Sequence, residues 1–228
     1  MEREDILSRY RQFRDISNQM KEDARKHLSD AAVLRLAKRI GVARGRTLFC
    51  DSDNEYELLT DLALFLPSAN GGPSAARRYA RSVAPPAGSQ QAAMLEAMLR
   101  SRLSVWTPDR RHDVAGLVFI DMLTNEETWV VDMNLEASFQ EGLVFAGRIA
   151  QPAEFAMIFG ILAPVRSEEL FELIETENRR CPADGDTDAA FGLATCAAAL
   201  RTGAMDLIMT RSPDEASQEL RGVSLMIR

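Results

Sequence analysis

The 228-residue chain is 46% hydrophobic, enough to bury a core of its own as one large domain or two small ones. Its three cysteines, Cys50, Cys181 and Cys196, show no CxxC or CxxxC spacing, which argues against a disulfide framework and a zinc knuckle and fits a reducing compartment. The net charge of −7 is unevenly spread: residues 1–50 hold twelve Lys or Arg against seven Asp or Glu, and the remainder fifteen against twenty-seven. A basic head on an acidic body marks either a nucleic-acid contact or an intramolecular or dimer complement.

The N-terminus, charged from Glu2 onward, lacks the apolar stretch of a secretory signal. Ile6, Tyr10, Phe13, Met20, Ala24 and Leu28 then recur at helical spacing, with a polar gap at Ser17, and predict an amphipathic helix. That stripe can dock on its own domain or on a second copy of the chain. Ser29 and Asp30 cap a second helix, Ala31 to Ile40, and Gly41 stops it. Ser52 to Glu55 spell a capping box for a third helix that runs to Pro67. A loop-rich stretch with a short helix around Arg77 to Val83 follows, and Ser89 opens a helix with Ala93, Met94, Ala97 and Met98 on one side.

Near Leu103 the apolar period changes from helical to alternating. Strands are expected at Leu103–Trp106, Ala115–Asp121, Glu127–Asp132, Leu143–Ile149 and Glu154–Leu162, with Pro164 as the terminator. Thr124-Asn125-Glu126 marks a hairpin, and spacings this short require antiparallel pairing. Beyond it, a helix from Ser167, a break at 181–185, an alanine-rich helix from Thr187 to Arg201 and a short helix over 213–221 complete the pattern. The most apolar window, Phe191 to Met209, carries Arg201 and Asp206 and reads as core, so no membrane span is expected.

The fold class that follows is α+β: a helical region over 1–100, a small antiparallel sheet or half-barrel over 101–166, and C-terminal helices over 167–228 packed on the same domain. The runs Arg44 to Ser52, Leu62 to Phe65, Arg78-Tyr79, Met98 to Val105, Asp121 to Glu126, Val131-Asp132, Ala146 to Ile149 and Phe159 to Val165 resemble a group of bacterial hypothetical proteins with a helical N-terminal half and a small β module. The resemblance covers roughly residues 28–165. It implies a bacterial, intracellular protein and transfers no active-site residue.

Residues 33–49 resemble a helix-turn-helix, with Ala37 as the small packing residue and Gly41-Val42 as the turn. On that reading Arg44 and Arg46 touch phosphate or base edges, and Arg35, Lys38 and Arg39 face the backbone of the duplex. The alternative is a helix that ends at Gly41, an arginine-flanked turn and a short extended Thr47–Cys50. Gly45 would cost about 1 kcal/mol inside a recognition helix.

His27 and His112 lie outside any nucleophile signature and read as solvated surface residues. Asp184 to Asp188 begins like a calcium loop, but Ala189 and Thr195 stand where glycine and glutamate are needed. No catalytic, metal or cofactor residue is assigned, and no cofactor is expected. The two tryptophans, Trp106 and Trp129, either pack the barrel or line a ligand groove. The sequence therefore reads as a cytoplasmic, non-enzymatic interaction or scaffolding protein with an unidentified protein partner. A homodimer through the first helix, a DNA-binding regulator using 33–49, and an enzyme of unrecognised type are the alternatives.

Overall fold

The computed structural model describes residues 2–165, with 51, 69 and 141 excepted, and the helix over 187–202. Helices α1 (Arg3–Arg25) and α2 (Asp30–Ile40) lead into a minimal hairpin, β1 (Ala43–Arg44) and β2 (Thr47–Leu48). Helices α3 (Asp53–Phe65), α4 (Ala75–Ser82) and α5 (Gln90–Arg100) follow. Strands β3 (Arg102–Arg111), β4 (Leu117–Asp121) and β5 (Glu127–Val130), helix α6 (Met133–Ala137), strands β6 (Val144–Ala150) and β7 (Met157–Val165), and helix α7 (Thr187–Thr202) complete the order.

Serines set four of the helix starts. Ser29, Ser52, Ser74 and Ser89 each sit in extended backbone and accept from the amide three residues on, which satisfies a donor the helix itself cannot. Gly41 ends α2 at φ +86°, where a side chain would be strained.

The main sheet has the order β5-β4-β3-β6-β7, antiparallel throughout. Three consecutive strands flanked by a fourth that returns beside the first make a Greek key. A parallel bridge joins Val130, at the end of β5, to Ala156, just before β7, through Val131 N–H to Ala156 O at 2.9 Å and Ala156 N–H to Trp129 O at 2.8 Å. The bridge draws the two edge strands together, and the five strands curl into a partly open Greek-key barrel. One apolar cluster, including Trp106, Leu117, Phe119, Phe145, Ile158 and Leu162, fills the ring, and Leu135 and Phe139 pack against it from α6 and the residues after it.

Two further clusters wrap the barrel in helices. On one side α2, α3 and α7 pack Leu36, Leu59, Leu62 and Cys196 against Leu103, Val105, Ala146 and Ala163. On the other α1, α4 and α5 pack Ile6, Phe13, Met94 and Met98 against Phe155, Met157 and Phe159.

Two strands run through prolines, one of them Pro164, which was expected to end the last strand. β3 runs through Pro108, beyond the reach of β6, whose pairing stops at Trp106, and beside a register shift against β4, so no ladder bond needs the missing N–H. β7 continues through Pro164, paired to Phe145 on one side only. Helix α6, absent from the sequence reading, is five residues long and begins where the Asp132 carboxylate accepts from the Asn134 and Leu135 amides. The first-helix stripe is continuous: Ser17 is itself buried, and Ile6, Tyr10, Phe13, Met20 and Ala24 face this chain's own core. The helices expected at 167 and 213–221, and the residues 184–186 of the calcium-like sequence, lie outside the described residues.

Candidate functional site

Where a recognition helix would have to follow Gly41, the chain turns back as the β1–β2 hairpin, with Ala43 opposite Leu48 and Arg44 opposite Thr47. Gly45 occupies the turn at φ +62°. A glycine suited to left-handed backbone makes a tight turn here, and residues 33–49 do not form a helix-turn-helix.

The five cations of that segment nevertheless share one surface chemistry. Val33, Leu36, Ala37 and Ile40 bury one face of α2, which turns Arg35, Lys38 and Arg39 outward at i, i+3 and i+4 spacing. Arg44 and Arg46 flank the hairpin turn and are exposed as well. Arg35 donates to the Pro67 carbonyl at 3.5 Å, and among the described residues no carboxylate pairs with any of the five. Phe49, just after the hairpin, and Tyr56, on α3, are 56% and 47% exposed.

The cations of α1 behave differently. Arg3 pairs with Glu136 at 2.8 Å, Arg9 pairs with Glu154, and Lys21 lies 3.7 Å from Asp61. Arg25 binds Glu57 and reaches Asp61 at 3.1 Å. Asp61 also accepts from the Ile161 amide at 3.2 Å, beside Gly160, whose φ of +91° and contact with the Asp61 carboxylate leave no room for a Cβ. The hydrogen bond from Arg25 holds Glu57 below the usual carboxylate range.

A second concavity, about 370 Å³, opens at the barrel mouth between α5 and the β5–β7 seam. Trp106, Ile149, Ala156, Ala93 and Ala97 line its floor, and Glu96, Arg100, Arg102, Glu126, Thr128 and Gln151 its rim. Arg102 is anchored by Asp121, a carboxylate with no exposed surface that also accepts from Ser104 at 2.8 Å and the Leu123 amide at 2.9 Å. This anchor escaped the sequence reading, because nothing in a hairpin carboxylate's spacing foretells that it will be swallowed by the ring.

The remaining candidates carry structural roles. His112, expected in solvent, stacks on Trp129 with ring centroids 4.0 Å apart, and His27 packs edge-on to Tyr79. Trp106 is interior and donates to the Gly147 carbonyl at 3.0 Å; Trp129 donates to Ala115 at 2.7 Å. At the end of β3, Arg110 is held by Asp109 and by Glu127 of β5. Burial pushes the Cys196 thiol up to about 12 and the Arg148 guanidinium, 3.8 Å from the Phe65 ring centroid, down to about 10. Among the described residues no cluster of His, Cys, Asp or Glu could hold a metal, and no helix is long and apolar enough to cross a membrane.

Barrel, wrapping helices, ledge and mouth define a helix-wrapped Greek-key barrel with two candidate binding surfaces. The chain belongs to a family of unknown function, DUF7986, whose model matches residues 4–180. No curated protein and no solved structure matches it significantly.

Proposed function

We propose that the chain is a protein-interaction module whose cationic ledge on α2 and the β1–β2 hairpin receives a short acidic segment of a partner. The observation that carries this reading is the contrast in charge pairing: five exposed cations meet no carboxylate among the described residues, whereas α1 engages most of its own. The exposed Phe49 and Tyr56 supply apolar anchors of the kind enriched at interfaces.

Size favours a short segment over a long polyanion. Helix α2 spans roughly 16 Å, and the residues beyond position 50 carry a surplus of twelve negative charges. A nucleic acid, with one charge per roughly 1.7 Å of duplex, would run off the ledge onto repelling surface; an acidic peptide of a few residues would not. The same proposal sets the protein in a reducing cell interior, supported by the buried free thiol of Cys196.

Fluorescence anisotropy tests it with a labelled Asp/Glu-rich peptide containing Phe or Leu, a neutral scramble of that peptide, and duplex and single-stranded oligonucleotides, each at low and physiological salt. The acidic peptide should bind, weaken with salt, and lose affinity when Arg35, Lys38, Arg39, Arg44 and Arg46 are replaced by Gln. Absent peptide binding, affinity unchanged in that variant, or tighter binding of oligonucleotide would overturn the proposal.

A further inference from the structure

The barrel mouth offers a chemistry that the ledge does not. Among the described residues the β5–β7 seam is held by the single bridge at Val130 and Ala156, and Thr128 and Pro152 line the cleft beside it. The floor is apolar, and Ala93, Ala97 and Ala156 are too short to fill it, so the space belongs to the packing as built. Its volume of about 370 Å³ and its place in a barrel mouth are those of a small-molecule site.

The rim carries both signs of charge, in pairs that a ligand can replace. Arg100 pairs with Glu96 along α5, their side chains 79% and 59% exposed. Across the mouth Glu126, 70% exposed, lies 3.4 Å from Arg102. Exposed pairs of this kind are weak and exchange partners readily. Arg102 is different, because the buried Asp121, itself fixed by Ser104 and Leu123, sets its position and keeps the rim's charges in register.

We propose that this cleft binds a small zwitterion with an apolar body, of the free amino-acid class. Its carboxylate pairs with Arg100, its ammonium with Glu126, and its side chain lies over Trp106 and the alanine floor. Thr128 and Gln151 supply hydrogen bonds at the rim, and Arg102 is a positioning residue.

Calorimetric titration of the full chain with leucine and phenylalanine, N-acetyl-leucine, and leucine amide tests the assignment. The free amino acids should bind, and each single-charge analogue should bind about tenfold more weakly or worse, the loss expected for one charge-assisted bond. Arg100→Gln and Glu126→Gln, both at exposed positions, should each reduce binding of the zwitterion while leaving the thermal midpoint in place; Ala97→Leu, which fills the floor, should abolish it. No binding of free amino acids, equal binding of the analogues, or affinity untouched by both rim variants would sink the idea. These results are independent of the ledge, whose variant should bind the zwitterion normally.

Discussion

Helix α1 sends Arg3, Arg9, Lys21 and Arg25 to carboxylates on α6, in the loop before β7 and on α3, whereas α2 and its hairpin hold five cations that meet none among the described residues. The two segments are neighbours and have the same sign of charge. Their difference lies in what the apolar stripe does. Ile6, Tyr10, Phe13 and Met20 dock α1 against the barrel and α4–α5, which brings its polar flanks within reach of the acidic body. Val33, Leu36 and Ile40 dock α2 at the periphery, with its polar face turned outward. A charge total for residues 1–50 averages over both fates, so the basic head is partly a complement to its own fold and partly a surface.

The sharpest way to break the comparison is to remove the carboxylate on which α1, α3 and β7 converge. Asp61→Ala leaves Lys21 and Arg25 beside an emptied site and the Ile161 amide without its acceptor. A loss of about 3 kcal/mol is expected for uncoupling a largely buried pair, with the thermal midpoint falling by roughly 6–12 °C. A calorimetric scan checks it; a midpoint within error of wild type would mean the cluster holds nothing together.

Tyr10→Phe probes the same docking with one atom. The Tyr10 hydroxyl donates to Asp132 at 3.1 Å, and that carboxylate also caps α6. Removing the donor should cost about 1 kcal/mol, since the acceptor keeps two amide donors. Urea unfolding of the two proteins, with an unchanged m-value, would isolate the effect from any change in compactness.

Much of this frame could be read from the residues, and the exceptions share a cause. The serine caps, the Gly41 stop and the hairpin at Thr124-Asn125-Glu126 are local signals, and local chemistry decides them. Pro164 misled because a proline's effect in a sheet depends on which neighbour strand it faces, a long-range fact. Asp121 and Asp61 carry no local signal of burial, and only the fold encloses them. The ledge was legible as charge, and of the two readings of 33–49 the structure follows the turn: α2 ends at Gly41, and Gly45 turns the chain between Arg44 and Arg46 into a short extended segment at Thr47.

Acid should separate the two regions further. The Arg25 hydrogen bond lowers the Glu57 pKa relative to its unfolded value, so the stability it lends is present above about pH 4.5 and is lost as pH falls through the lower folded value. Glu57→Gln should therefore shrink the difference in unfolding free energy between neutral pH and about pH 4. If the variant loses as much stability on acidification as wild type, Glu57 contributes nothing to the acid limb.

The smallest effect on the fold is expected from the largest change in charge. Replacing Arg35, Lys38, Arg39, Arg44 and Arg46 by Gln removes five positive charges, yet each is exposed and without a carboxylate partner among the described residues. Each surface change should stay within about 0.5 kcal/mol. The small cost that is expected comes from Lys38 and Arg39, which sit in the last turn of α2 and interact favourably with its C-terminal dipole. Reverting those two positions in the quintuple variant should recover most of whatever stability is lost, as read by urea unfolding at low salt, while the peptide affinity stays reduced. If all five together cost several kcal/mol, the ledge would be part of the protein's own scaffold like the cations of α1, and the contrast between the two helices would disappear.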